Sequence, residues 1–158
     1  MNGMHFLQPN EYQPQAERLY EDLKVRLSFA IPYSEIEHIG SSAIAGAISK
    51  GDLDVLVRVS KEQFADAITA IESLGFSIKV GTLKTESLHI FQGSNNTAIQ
   101  LIERGSEFED FIKFRDRMNA DSSLVEKYNR LKIICTGKPD YEYRALKSKF
   151  IETVLGEY

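Results

Sequence analysis

Residues 35–59 read EIEHIGSSAIAGAISKGDLDVLVRV, and the order of features in this stretch decides the fold. A short run from Glu35 to Ile39 leads into a Gly-Ser turn at Gly40-Ser41-Ser42; a segment of small residues follows, and Asp52-Leu53-Asp54 opens a β-type run. Leu53, Val55, Val57 and Val59 fall on one side, with Asp54, Leu56 and Arg58 on the other, the period of two that a strand imposes. The same period turns Asp52 and Asp54 one way, with Cβ atoms roughly 7 Å apart. Asp is disfavoured inside strands, so Asp54 within an apolar run needs a reason. Two carboxylates on a rigid element suit one hard divalent cation, and Mg²⁺ is typically bound by one or two carboxylates plus substrate phosphates. The Gly-Ser turn predicts a short helix whose free N–H groups favour a phosphate. A phosphate cradle beside a metal-binding pair is the minimum apparatus for phosphoryl or nucleotidyl transfer. The plainer alternatives are a Ser-capped turn and aspartates matched by a neighbouring Arg or Lys.

Upstream, Tyr12, Ala16, Leu19, Tyr20, Leu23 and Leu27 have helical spacing and predict a helix over 11–27, with Asn10 as N-cap and Pro14 tolerated near the first turn. Downstream, Ser60 with Gln63 resembles a capping box, and Phe64, Ala67, Ile68, Ile71 and Leu74 form one helical face that Gly75 stops. Residues 76–80, 87–91 and 97–102 read as three further strands, the last two joined through QGSNN as a hairpin. Ser106 with Glu109 is a second capping box, opening a helix through about Met118. Two more helices, over 122–134 and 140–155, are separated by the breaker Thr136-Gly137-Lys138-Pro139. No repeat or linker interrupts this order. It predicts one α+β domain over residues 1–158, a mixed five-strand sheet covered by the early helices and a C-terminal helical group.

The bulk properties fit that reading. A chain of 158 residues suits a single domain, and 42% apolar with 27% charged residues is ordinary globular composition. A net charge of −4 and a pI near 5.4 argue against non-specific binding to nucleic acid or an anionic membrane. The charge is uneven: residues 110–158 carry +2 and residues 1–109 carry −6. A mildly basic C-terminal half facing an acidic metal site suits an anionic substrate, although solvated surface is the commoner origin of such an imbalance. Cys135 is the only cysteine, which excludes an internal disulfide and a Cys₄ or Cys₂His₂ zinc site; within LKIIC it reads as a buried, inert thiol. The N-terminal MNGMHFLQPNEYQPQ lacks a signal-type apolar core, and no run approaches transmembrane length, so the cytoplasm is the expected location.

EHIGSS, Lys50 and Asp54, then FRDRM, VEKYNRLK and YRALKSKFIETVL, resemble the GrpB family, a branch of the nucleotidyltransferase superfamily. The resemblance extends to YQPQAERLYEDLKVRL and so covers nearly the whole chain. It implies the superfamily fold, with Asp52 and Asp54 as metal ligands and catalytic residues and the Gly-Ser backbone as phosphate holder. GrpB proteins commonly carry an apolar residue where this chain has Asp52. Superfamily enzymes place a third carboxylate on a later strand, where GrpB proteins often have histidine; the matching position here is Gln100, within TAIQLIER. An amide oxygen can ligate a cation but supplies no charge and is a poor general base.

The expected function is therefore a nucleotidyltransferase-like domain that binds a nucleoside triphosphate with Mg²⁺ or Mn²⁺. If active, it transfers a nucleotidyl group to an unknown acceptor. Gly40, Ser41 and Ser42 would hold phosphate, with Lys50 neutralising it or pairing with Asp52; Glu103 and His89 are the candidates for a base. A non-catalytic nucleotide- or anion-binding or interaction module with a degenerate metal site is the competing class, and a metal-dependent phosphohydrolase is the third. His38 reads as a hydrogen-bonded structural residue. Arg115 and Asp116 are helix neighbours and are expected to find separate partners, Arg115 a buried carboxylate. Lys127, Arg130, Lys132, Arg144, Lys147 and Lys149 are expected on solvated helix faces, and Tyr128, Tyr141 and Tyr143 at the edge of the core.

Overall fold

The computed structural model describes residues 5–156. The N-terminal helix α1 (Pro9–Ala30) buries Tyr12, Ala16, Tyr20, Leu23 and Leu27 along one stripe. Its cap falls two residues before the expected Asn10. Gln8 is the N-cap, its N–H donating to Glu11 Oε1 at 2.7 Å, and Pro9 at the first helical position loses no hydrogen bond. The five strands are β1 (Glu35–Ile39), β2 (Leu53–Val59), β3 (Ser77–Ile78), β4 (Leu88–Gln92) and β5 (Thr97–Glu103). They form one mixed sheet in the order β1-β2-β5-β4-β3, in which β2 and β5 are parallel and the other pairs antiparallel.

The alternation read from β2 decides the layers. Leu53, Val55, Val57 and Val59 pack with Leu23, Leu27, Phe64 and Ile71 beneath α1 and α2 (Phe64–Ser73). Leu56 faces the opposite side, with Ile39, Leu88 and Ile102, under Phe108 and Phe111 at the start of α3 (Asp110–Ala120). Helices α4 (Ser122–Ile134) and α5 (Asp140–Gly156) complete that second layer around Phe114, Tyr128 and Val154. Among the described residues no helix is long and apolar enough to cross a membrane.

Local readings differ in three places. The strand expected over 76–80 shrinks to Ser77–Ile78, because Phe76 packs inward and Val80, 92% exposed, has left the sheet edge. Neither expected capping box forms as such. Ser60 Oγ meets Gln63 Oε1 at 3.0 Å, side chain to side chain. Ser106 Oγ is buried without a partner, while the Glu109 carboxylate takes the Gly105 N–H at 2.9 Å and Arg58 Nη1 at 2.7 Å. Arg115 and Asp116 do touch, at 2.9 Å, since the long guanidinium reaches back over the helix surface; its shorter contact, 2.7 Å, is to Glu37.

The small-residue segment between the Gly-Ser turn and β2 is irregular, so its backbone polar groups need side-chain partners. Three helices supply them. Asn119 bonds the Ala45 N–H and Ala43 carbonyl, both at 2.9 Å; Asn129 bonds the Ile48 N–H at 3.0 Å and the Gly46 carbonyl at 2.8 Å. From α1, Gln13 donates to the Ile44 carbonyl at 2.8 Å and Tyr12 to that of Ala47 at 2.9 Å. The loop that carries the turn toward Asp52 is thereby fixed from both sides.

Candidate functional site

Gly40 ends β1 with φ +76° and ψ −174°, a region that only glycine enters readily. Ile39 is paired with Asp54 across the β1–β2 ladder, so the turn emerges directly beside that aspartate. A Cβ on Gly40 would lie 2.4 Å from Asp54 Oδ2. One turn of 3₁₀ helix follows at Ser41–Ala43; its first bond runs from the Ala43 N–H to the Gly40 carbonyl at 3.0 Å. The N–H groups of Ser41 and Ser42 precede that bond and have no partner within the turn. The Ser42 hydroxyl is turned away, 2.8 Å from His38 Nε2, while His38 Nδ1 meets Glu17 at 3.1 Å and the ring stacks on Tyr20. Burial holds His38 below the usual histidine range.

The turn opens onto a cavity of about 620 Å³ whose lining includes Gly40, Ser41, Lys50, Asp52, Asp54 and Gln100. The parallel β2–β5 pairing places Gln100 opposite Leu56 and on the same face as Asp54; Gln100 Nε2 donates to Asp54 Oδ1 at 3.3 Å. Its Oε1 is buried and has no hydrogen-bond partner. Burial pushes the Asp54 carboxyl above its ordinary range, with the Asp52 charge adding to the rise and Lys147 and Gln100 opposing it.

Lys132 and Lys147, expected on solvated faces, line this cavity instead. Lys132 is 1% exposed; its amine donates to Ser41 Oγ at 2.8 Å and to the Ile48 carbonyl, over the Tyr128 ring. Burial first, then the nearby ammonium groups of Lys147 and Lys50, bring its pKa down to about 7. Lys147 goes the other way: Tyr128, and then Asp54 and Asp52, hold its ammonium above the usual lysine range against the effect of burial. The signal for both was in the sequence. Lys132 continues the buried Leu124–Tyr128 stripe of α4 at a spacing of four, and Lys147 stands between Tyr143 and Ile151 on α5, positions that helical periodicity turns inward.

The remaining candidates are separated from the cavity or are peripheral to it. His89 and Glu103 are paired with Leu101 and Val59, on the face beneath α1 and α2. His89 sits against Phe64, its pKa lowered by burial, and Glu103 accepts from the Ser87 hydroxyl at 3.3 Å. The β2–β5 and β4–β5 registers place both on the wrong side of the sheet to act as a base for this cavity. Lys50 is at the mouth, with Asp140 as its ion-pair partner at 4.0 Å in place of Asp52. Cys135 is buried, as are Tyr128 and Tyr143, whereas Tyr141 is exposed.

The donor set suits a divalent cation. The Asp52 and Asp54 carboxylates and the orphaned Gln100 Oε1 are hard oxygen ligands of the kind Mg²⁺ and Mn²⁺ accept. Among the described residues no group of three or more His, Cys, Asp or Glu side chains is arranged to hold a metal. A cation here would therefore draw its other ligands from phosphate and water.

Comparison with known proteins agrees with the architecture. The fold is nucleotidyltransferase-like, and residues 8–157 match the GrpB protein family. The chain belongs to that family. It is 43% identical over 158 residues to the UPF0157 protein VC_A0354 of Vibrio cholerae, covering 99% of this chain and 84% of that one. The crystal structure of GrpB from Enterococcus faecalis superposes with a TM-score of 0.78 at 20% identity, covering 98% of this chain and 99% of that chain. Cid1, solved as an RNA terminal uridylyl transferase, shares the fold at a TM-score of 0.53 and 13% identity; the match covers 76% of this chain but only 39% of Cid1.

Proposed function

We propose that the cavity binds the phosphate end of a nucleoside triphosphate together with Mg²⁺ or Mn²⁺, and that nucleotidyl transfer to an acceptor is the reaction it is built for. The observation that carries this reading is the contact of Gly40 with Asp54. The turn leaves no room for a side chain, so phosphate donors and a carboxylate share one small space. Asp52 and Asp54 would hold the cation, with Gln100 Oε1 as a neutral third ligand. Bound there, the cation would neutralise phosphate charge and orient the leaving group.

The chain's own residues supply the rest. Gly40 allows close backbone approach and Ser41 lines the cavity beside it, so the turn backbone there would meet incoming oxygens, whereas Ser42 lies outside the cavity lining. Ser42 contributes no hydroxyl, since that group is committed to His38. Lys132 and Lys147 take the charge-neutralising role that sequence had given to Lys50. Fold relatives are consistent with such a ligand: a Cid1 structure with Mg 3′-dATP bound has a TM-score of 0.51 to this chain. Most of Cid1 lies outside the match, so its acceptor is not carried over.

Gln100 favours one competing reading, a binding module without catalysis. A neutral amide stands where a third carboxylate would be, and it already donates to Asp54. Incubation with labelled triphosphates and Mn²⁺ separates the possibilities: label transfer supports the transferase, free phosphate a hydrolase, unchanged bound ligand the module. Binding itself is read by thermal shift. Cation plus triphosphate should stabilise the fold more than either alone, by about 2.7 kcal/mol at a hundredfold the dissociation constant. Equal melting temperatures with and without the pair would refute the reading.

A further inference from the structure

We propose that Ser42, His38 and Glu17 form a second catalytic site, a Ser-His-Glu triad that hydrolyses short, uncharged carboxylic esters in a groove between α1 and α3. The site is separate from the Asp54 cavity and needs no metal.

The geometry is that of an activated nucleophile. His38 Nδ1 meets Glu17 Oε2 at 3.1 Å, and His38 Nε2 meets Ser42 Oγ at 2.8 Å. An ionised carboxylate can only accept, so the neutral imidazole carries its hydrogen on Nδ1, and Nε2 is left to accept from the serine hydroxyl. Tyr20 holds the ring in that orientation, stacked on it with centroids 4.7 Å apart. Nucleophile, base and orienting carboxylate are linked in the order that acyl transfer by a serine requires.

All three side chains line one groove of about 700 Å³, and none of them lines the Asp54 cavity. The groove also defines what can enter. Its lining holds no apolar side chain larger than proline, so a long acyl chain finds nothing to bury against. Two carboxylates, Glu17 and Asp116, stand there against the single guanidinium of Arg115, which Glu37 and Asp116 already pair. An anionic acyl group is therefore disfavoured, and a short neutral ester fits.

In the first half-reaction Ser42 Oγ attacks the ester carbonyl carbon and its proton passes to His38 Nε2. The Ser42 N–H, without a partner inside the turn, is the backbone donor that the nucleophile's own residue offers the oxyanion. Collapse breaks the C–O bond, and the alcohol leaves with the proton from His38. Water then gives a proton to His38, attacks the acyl-enzyme and releases the carboxylic acid as Ser42 recovers its hydrogen, so no oxidant, reductant or cofactor is consumed.

The base is available at neutral pH. Burial lowers the His38 pKa, Glu17 and Glu21 of α1 oppose that, and Arg115 of α3 adds to it. Asp116 faces the ring only across the groove, and the turn contributes Ser42 alone.

The test uses the full chain in EDTA, with p-nitrophenyl acetate as substrate and an alkyl fluorophosphonate as covalent probe, its adduct located by peptide mass mapping. Hydrolysis above the buffer rate should survive EDTA, the adduct should sit on Ser42, and Ser42→Ala and His38→Gln should each lose about a hundredfold or more in rate. The rate should hold through pH 7 and fall only below 6.5, the ordinary histidine value. Glu17 is a positioning residue: Glu17→Gln removes a charge that favours the imidazolium, so the fall should move to lower pH. Hydrolysis that persists in Ser42→Ala overturns the inference, as does an adduct on another residue or an acid limb unmoved by Glu17→Gln. If Ser42→Ala or His38→Gln fails to fold, labelling of the wild type decides alone, and the absence of an adduct on Ser42 refutes the triad.

Discussion

Gly40→Ala probes the contact on which the site depends, and its cost can be worked from the structure. The backbone at φ +76° and ψ −174° costs a residue with a Cβ about 1–3 kcal/mol. The added carbon would lie 2.4 Å from Asp54 Oδ2, but also 3.0 Å from Asp54 Cβ and 3.1 Å from Cγ. The carboxylate tip can rotate aside, whereas Asp54 Cβ is fixed by β2, so overpacking adds about 1–3 kcal/mol. A central total near 4 kcal/mol is a large share of the roughly 5–15 kcal/mol that holds a domain together. At this chain length it corresponds to a fall in melting temperature of roughly 8–16 °C. The assay is thermal and urea denaturation of Gly40→Ala, Asp54→Ala and the double variant. Removing the Asp54 carboxylate deletes the Oδ2 and Cγ contacts but keeps Cβ, so it should recover part of the contact portion and leave the backbone portion, a coupling of about 1 kcal/mol. A loss that is identical in both backgrounds would show that the turn is not pressed against Asp54, and the shared phosphate and metal space would go with it.

Asp54→Ala should abolish metal-dependent nucleotide binding while leaving the fold intact or slightly more stable at neutral pH. The folded-state carboxyl sits above its ordinary value of 3.8, so the stability it contributes is present below that pH and is lost as pH rises. The variant's advantage in urea midpoint should therefore be present at pH 7 and absent at pH 3. Lys132 has the opposite sign: its depressed value, about 7 against an ordinary 10.5, means that stability is lost as pH falls through that window. Lys132→Met should gain on wild type between pH 10 and pH 6 in the same measurement, and a pH-independent difference would refute the buried, unpaired amine. Gln100→Asp adds a third carboxylate on the Asp54 face, lowering the melting temperature without metal and enlarging the rise caused by Mg²⁺ or Mn²⁺. If neither condition responds, Gln100 is not a ligand position.

The sequence by itself determined whatever is set by local period and chain punctuation. The alternation from Leu53 to Val59 specified β2 and which of its residues face α1, and the bounds of β1 and α4 agree with those read from the chain. The juxtaposition of the Gly-Ser turn with the aspartates was also legible, because only a short segment separates them and the family resemblance lent it weight. Lys132 and Lys147 were missed by reading charge as exposure, although both stand on buried helical stripes. A long side chain can run inward when a cavity receives its head, and composition does not report a cavity.

Which face of a distant strand meets the site was a tertiary decision. Parallel pairing of β2 with β5 turned Gln100 toward Asp54 and sent Glu103 to the other face; pairing of β4 with β5 did the same to His89. A one-residue change of register would have exchanged those fates. The perturbed groups were decided at the same level. Asp54, Lys132 and Lys147 are ordinary titrating residues in an extended chain. Only the packing of α4 and α5 over the turn removes water from them and sets their charges within reach of one another, because desolvation and Coulomb interaction depend on distances in space that chain order does not fix.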